Sequence, residues 1–203
     1  MKLYTAPATP FGRTVEIVAH ETGQHGEIEI VATTVAPTKD NREFQAVNPL
    51  RRIPALVTDD GTLLVDSTLI SLYIARRAGN DVIFANGDPD HWSVMNDYMM
   101  AKGAAECVVS ARYEGFVRPE ARRWQPWSDD LLAKAHAVLA RFDAAPPAYG
   151  ETPTIAAIGL GAVLGYLDFR FPDEGWRTRY GALAAWSEPL FARPSFAATM
   201  PPV

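Results

Sequence analysis

Two short groups of residues carry chemistry rather than shape. Ile53-Pro54 opens the apolar run Ala55-Leu56-Val57. A proline at the head of a strand removes a ladder hydrogen bond, so it belongs at an edge or at a special bond, and X-Pro is where a cis peptide is cheap. A cis bond there turns the N–H and C=O of Ile53 outward, ready to pair with an extended, peptide-like ligand. Asp66-Ser67 stands just before the helical pattern 69–78. Ser67 as helix N-cap, with exposed N–H groups beside it, suits a ligand carboxylate, and the carboxylate of Asp66 suits a ligand ammonium.

The elements that must position these groups can be read from the pattern around them. Asn48-Pro49 ends a preceding element, and Asp59-Asp60-Gly61 is a tight turn, so 54–58 and 62–65 read as a hairpin. Lys2-Leu3-Tyr4-Thr5 predicts a short strand. Thr9-Pro10 predicts a helix over 10–22, with Thr9 as N-cap, Phe11, Val15, Val18 and Ala19 on one apolar face, and Gly23 as its stop. Residues 27–31 alternate like a strand, and 41–47 fit a short irregular helix. Ile70, Tyr73 and Ile74 give the helix 67–78 an inward face. The order β-α-β, short helix, β-β-α is thioredoxin-like and occupies 1–79. A turn-rich connection, 80–89, follows, and 90–203 reads as an all-α domain. Its helices are expected over 89–117, 128–144, from a cap at Thr154, and over 178–191 and 194–199. Gly159, Gly161 and Gly165 inside the third of these imply close packing against neighbours.

Composition narrows the classes. The 203 residues carry a formal net charge of −5, which argues against a nucleic-acid or anionic-membrane surface. No apolar run reaches the roughly 18 residues of a membrane span. A single cysteine makes no internal disulfide, and the N-terminus lacks an apolar leader core, so a cytoplasmic location is expected. His20, His25, His91 and His136 lack metal-ligand spacing, so no metal is expected. Cys107 has no basic neighbour and reads as a packed helix residue. The Arg118–Arg123 cluster reads as a solvated turn with Glu114 and Glu120, and Trp124 and Trp127 as packing residues.

Asn48-Pro49, Ile53-Pro54-Ala55-Leu56, Gly61 and Asp66-Ser67, at this spacing, resemble the glutathione-binding core of the glutathione S-transferase family, cytosolic type. The helical half resembles a bacterial subgroup in Arg118-Pro119-Glu120, Trp124-Gln125-Pro126-Trp127, Gly165-Tyr166-Leu167-Asp168-Phe169-Arg170 and Phe191-Ala192-Arg193-Pro194-Ser195-Phe196. One departure is Thr154-Ile155-Ala156-Ala157, which lacks the acid of the family's reciprocal cap.

The resemblance implies glutathione as co-substrate, a homodimer, and attack of the bound thiolate on a small apolar electrophile, as in detoxification. It places Thr9 on the family's serine position near the sulfur, within Thr5-Ala6-Pro7-Ala8-Thr9-Pro10-Phe11-Gly12-Arg13-Thr14-Val15, with Thr14 replacing the usual lysine. Lowering a thiol pKa by about two units takes about 2.7 kcal/mol. One charge-assisted hydrogen bond, roughly 1.5–3 kcal/mol, plus a helix-dipole contribution of roughly 0.3–1, supplies it. The alternative is that Thr9 only caps the helix. By the same resemblance Asp66 and Ser67 hold the γ-glutamyl end, the Ile53 backbone beside Pro54 holds the central amide, and the glycyl carboxylate falls to Arg52, with Lys39 as second candidate. Arg51-Arg52 as two solvated charges is the plain alternative. Phe11, Tyr113 and Tyr166 are candidates for the apolar wall of the second pocket. Two rival functions remain: a glutathione-dependent reductase or peroxidase, which wants a cysteine near Thr9, and a non-catalytic glutathione-binding protein.

Overall fold

The computed structural model describes residues 1–201. The last two residues of the expected helical domain, 202–203, lie outside the described residues. The chain opens as expected with β1 (Lys2–Thr5) and α1 (Pro10–Glu21). A 3-10 turn at His25–Glu27 then delays β2, which runs over Glu29–Ala32 rather than 27–31. After α2 (Arg42–Val47), whose Asn41 side chain caps Phe44 N–H, come β3 (Ala55–Val57), β4 (Leu63–Leu64) and α3 (Ser67–Arg77). The sheet order is β2-β1-β3-β4, with β1 parallel to β2 and antiparallel to β3. The hairpin pairs Leu56 with Leu64 and Val57 with Leu63 around the Asp59-Asp60-Gly61 turn. It is shorter than expected, because Thr58 spends its backbone and hydroxyl closing the turn onto Thr62 and Asp60.

The rest is helical: α4 (His91–Phe116), α5 (Gln125–Ala144), α6 (Ile155–Arg170), α7 (Trp176–Arg179), α8 (Gly181–Phe191) and α9 (Pro194–Ala198). Boundaries differ from expectation for local reasons. Asp90, not Asp88, precedes α4, because Asp88 accepts from the Asp90 N–H and forms a turn of its own. α5 starts three residues early, since Pro126 fits a first turn that needs no donor. The helix expected over 178–191 breaks at Tyr180. Trp124 and Trp127 are exposed rather than packed. Glu114 is more than a solvated neighbour: buried, it accepts from Arg118 Nε and from the Trp124 N–H and so ties down the whole turn. No single helix among the described residues is long and apolar enough to cross a membrane.

The two halves share a core. Leu3, Val15, Val18, Leu56, Ile70 and Ile74 pack in one cluster with Ile155, Ile158, Leu190 and Phe196. Even the connecting segment is held, with Ile83 and Phe84 buried and Ile83 O accepting from Ile155 N–H. The glycines of α6 permit this approach. A methyl on Gly161 would sit 2.6 Å from a Phe196 ring carbon, and one on Gly165 would sit 2.0 Å from Arg13 Nη1. Thr154 caps α6 at Ala157 N–H without the missing acid.

Arg13 is 2% exposed and passes from α1 beneath Gly165 to the C-terminal tail. Its Nη2 donates to Phe196 O at 3.2 Å and its Nε to Thr199 Oγ1 at 3.4 Å, while Nη1 has no partner among the described residues. Burial pushes the guanidinium down to about 10, against the pull of Asp168 and Glu16.

A second tie is ionic. Arg193 grips Glu21 with Nε and Nη2 at 2.9 and 2.8 Å, and Ser195 Oγ donates to the same carboxylate. Burial alone would raise the Glu21 carboxyl, but the hydrogen bonds from Arg193 and Ser195 outweigh it and hold the group below its ordinary 4.5. A carboxylate depressed on folding gives stability that is present above its unfolded pKa and lost as pH falls through the folded one. Glu21→Gln is therefore expected to lower stability by roughly 1.5–3 kcal/mol at neutral pH. In urea titrations its gap to wild type should close as the pH drops below 4.5.

Candidate active site

The site forms where the N-termini of α1 and α3 meet α4. Thr9 precedes α1 with extended backbone, φ −93° and ψ 126°, and its carbonyl accepts from Arg13 N–H at 3.0 Å. Its side chain makes no capping hydrogen bond. The reading of Thr9 as a side-chain cap therefore loses its bond, and among the described residues the hydroxyl at the positive end of α1 is uncommitted. Gly12 explains the rotamer. A methyl built on Gly12 would lie 2.7 Å from Thr9 Cγ2 and 2.0 Å from Thr5 Oγ1. The missing side chain makes room for the Thr9 methyl, and a β-branched residue pinned by its methyl has its hydroxyl direction fixed too.

The Ile53–Pro54 bond is cis, as is Val65–Asp66. Buried Asn48 shapes the loop before it, donating from Nδ2 to Arg52 O at 2.8 Å and accepting from Leu50 N–H at 3.1 Å. Among the described residues, the Ile53 N–H and C=O have no backbone partner. Arg51 turns to Asp40 at 3.6 Å with a positive φ of 50°, which separates it from Arg52. Arg52 and Lys39 are exposed, and among the described residues neither pairs with a carboxylate.

At the second helix the roles are exchanged. The cap of α3 is Asp66, not Ser67: Asp66 Oδ1 accepts from Thr68 N–H at 3.0 Å, and Ser67 is the first helical residue, buried. A carboxylate outranks a hydroxyl here because it can cap and still use its second oxygen. That oxygen, Oδ2, accepts from Lys102 Nζ of α4 at 2.8 Å, and Glu106 lies 3.5 Å from the same ammonium. Burial would raise the Asp66 carboxyl, but Lys102 and the Thr68 N–H prevail and hold it low. Lys102 is the functional neighbour that sequence reasoning missed. It lies 36 residues away, and its only local signal is the four-residue spacing from Tyr98 and to Glu106. Tyr98, buried, sets its hydroxyl 3.3 Å from Thr68 Oγ1.

Pro10, Phe11, Ser67, Tyr98, Lys102 and Gly159 line a small cleft. It brings the starts of α1 and α3 together under α4. A larger hollow of about 460 Å³, rimmed by Asp81, Asp88, Asp90 and Asp97, opens over the connecting segment and shares no residue with this cleft. Phe11 and Tyr166 belong to one apolar cluster. Tyr166, buried, is pushed up to about 12 by burial, with Arg170 and Arg112 pulling it down and Tyr113 adding to the rise. Tyr113 is raised by burial and pulled down by Arg52. Phe11 and Tyr166 therefore share one neighbourhood. Cys107 is half-buried on α4, where burial raises its thiol.

The candidate site thus comprises a cis-prolyl loop, an Asp-capped helix and a hydroxyl at a second helix start that makes no capping hydrogen bond. Residues 3–81 match the model of the glutathione S-transferase N-terminal domain, and residues 125–188 match that of the C-terminal domain. A glutathione transferase family member from Pseudomonas fluorescens Pf-5, solved with bound glutathione, is 33% identical over all of this chain and 99% of its own, with a TM-score of 0.94.

The chain belongs to the glutathione S-transferase family.

A second Pseudomonas fluorescens Pf-5 structure, holding S-(propanoic acid)-glutathione, is 34% identical over the full length of both chains with a TM-score of 0.89. The GST-like protein YibF of Escherichia coli, itself uncharacterized, is 28% identical over 100% of this chain and 99% of its own. The small mixed sheet with a helical body is the glutathione S-transferase fold, and glutathione bound in the relatives agrees with glutathione as co-substrate.

Proposed function

We propose that this glutathione S-transferase binds glutathione across the starts of α1 and α3 and the cis-prolyl loop, and activates its thiol for attack on a small electrophile. The observation that carries the reading is the Thr9 hydroxyl, uncommitted at the N-terminus of α1 with its methyl pinned over Gly12. An O–H donor and a helix dipole both favour thiolate over thiol. The peptide would lie along Ile53, its γ-glutamyl ammonium on Asp66, its γ-glutamyl carboxylate at the N–H groups of the Ser67 turn, and its glycyl carboxylate on Arg52, with Lys39 as reserve. In the reaction the thiolate sulfur forms a bond to the electrophilic carbon. The leaving group departs with its electron pair, or a C=C π pair shifts to the next carbon and takes a proton.

The exposed Trp92, Met99 and Met100 along α4 support a homodimer. A cytoplasmic, detoxifying role follows the same reading. A peroxidase or reductase is less well served, since Cys107 is on α4 and not beside Thr9.

The test is a titration of enzyme-bound glutathione, following thiolate absorbance in the ultraviolet against pH. A bound-thiol pKa about two units below that of the free peptide is the expected result. Binding with no shift would make the protein a glutathione binder without catalysis.

A further inference from the structure

On the reading just proposed, the γ-glutamyl ammonium meets Asp66, yet both oxygens of that carboxylate are already engaged. Oδ1 accepts from the Thr68 N–H at 3.0 Å and Oδ2 from Lys102 Nζ at 2.8 Å. The partner is no ordinary surface cation. The Lys102 side chain is 13% exposed, against 54% and 57% for Lys2 and Lys134, the other lysines that pair with a carboxylate among the described residues. A lysine is seldom buried unless its charge is matched. Lys102 also lines the small cleft with Pro10, Phe11 and Ser67, so it belongs to the same wall as the starts of α1 and α3. One turn before it, Tyr98 sets its hydroxyl 3.3 Å from Thr68 Oγ1, and one turn after it Glu106 lies 3.5 Å from its Nζ. Burial would lower the Lys102 ammonium, but the hydrogen bond from it to Asp66 prevails and holds it above its ordinary 10.5. The start of α3 therefore presents a negative and a positive group 2.8 Å apart. A ligand group with an ammonium alone is attracted by one and repelled by the other. A group with ammonium and carboxylate on the same carbon meets each with the opposite charge, and the γ-glutamyl α-carbon carries those two groups.

We propose that Lys102 is a further binding residue for the γ-glutamyl end: its ammonium stays beside Asp66 and takes one oxygen of the ligand's α-carboxylate, while the N–H groups of the Ser67 turn take the other. Asp66 keeps lone pairs for the ligand ammonium, because each carboxylate oxygen accepts more than one hydrogen bond. Lysine suits the place, since its three donors can serve Asp66, Glu106 and the ligand together. Asp66 and Lys102 thereby read the amino-acid head as a unit, and the site rejects a thiol peptide whose γ-end is a bare amine.

The experiment titrates three thiol peptides calorimetrically into the full-length protein: glutathione, γ-aminobutyryl-cysteinylglycine, which lacks only the α-carboxylate, and glutaryl-cysteinylglycine, which lacks only the α-ammonium. In the wild type the amine-only peptide is expected to bind about 100-fold more weakly than glutathione. Lys102→Met keeps a long unbranched side chain without the charge. In it the acid-only peptide should weaken about tenfold, while the amine-only peptide, relieved of a like charge, should hold or tighten, so that its gap to glutathione narrows about tenfold. Lys102→Gln should do the same, and Lys102→Arg should keep most of the wild-type gap. A lysine that only supports the fold would shift all three peptides by one factor, and that result overturns the proposal. Amine-only peptide and glutathione binding within about twofold of each other in the wild type overturns it without any variant. If glutathione itself does not bind, the underlying reading falls as well; if it binds and the gap is the same with and without the lysine charge, only this inference falls.

Discussion

Replacing Thr9 by valine is expected to slow turnover about 10- to 100-fold at neutral pH and to return the bound thiol toward the pKa of free glutathione. Valine keeps the β-branch and the methyl that rests over Gly12, so the rotamer and the helix start are retained. Only the O–H donor is lost. A hydrogen bond to a charged group is worth roughly 1.5–3 kcal/mol, and about 1.4 kcal/mol corresponds to tenfold. Stability should hardly change, because the Thr9 hydroxyl makes no capping bond in the fold. Serine in its place should retain most of the rate. The measurement is kcat and kcat/KM against pH, with the thiolate absorbance of the complex beside it. A valine variant with wild-type kinetics and a bound thiol as acidic as the wild type's would remove Thr9 from the chemistry and leave the helix dipole alone to do it.

Asp66→Asn has the second large effect expected, this time on binding. Asparagine caps a helix about as well as aspartate, so α3 should keep its start. What disappears is the negative charge offered to the γ-glutamyl ammonium, together with the partner of Lys102. Glutathione is expected to bind about 10- to 100-fold more weakly, and the loss should grow no further as the pH is lowered. Wild-type affinity, in contrast, should hold down through the ordinary carboxyl value of 3.8 and fall only below it, as Asp66 is protonated. The sign follows from the direction of its shift: a carboxyl held below its ordinary 3.8 keeps its charge further into acid. Calorimetry at neutral pH and again below 3.8 distinguishes the two curves; parallel curves across that value would place the ammonium elsewhere.

What the sequence disclosed and what it withheld divide along a physical line. Asn48-Pro49, Ile53-Pro54 and the Asp59-Asp60-Gly61 turn act within a few residues of themselves, and the loop and the hairpin they imply are present. The order of elements was likewise legible, because strand and helix periodicities are local. The exchange of cap between Ser67 and Asp66 was harder. Either side chain can accept from a helix N–H, and the choice depends on Lys102, which only the folded chain brings to the second carboxylate oxygen. The freedom of the Thr9 hydroxyl was also hidden, since it follows from the space over Gly12 rather than from the Thr-Pro pair. Trp124 and Trp127 were misread for the opposite reason. Their size suggested burial, but the turn they flank is organised by Glu114, which does the packing in their stead.

Arg13 has a wider consequence. It sits on the helix that presents Thr9, and its guanidinium ends among Phe196, Thr199 and Met200. Residues 196–200 therefore brace the helix that presents Thr9. A saturation map of activity would accordingly show, besides positions such as Thr9 and Asp66, a further sensitive group around residues 196–200.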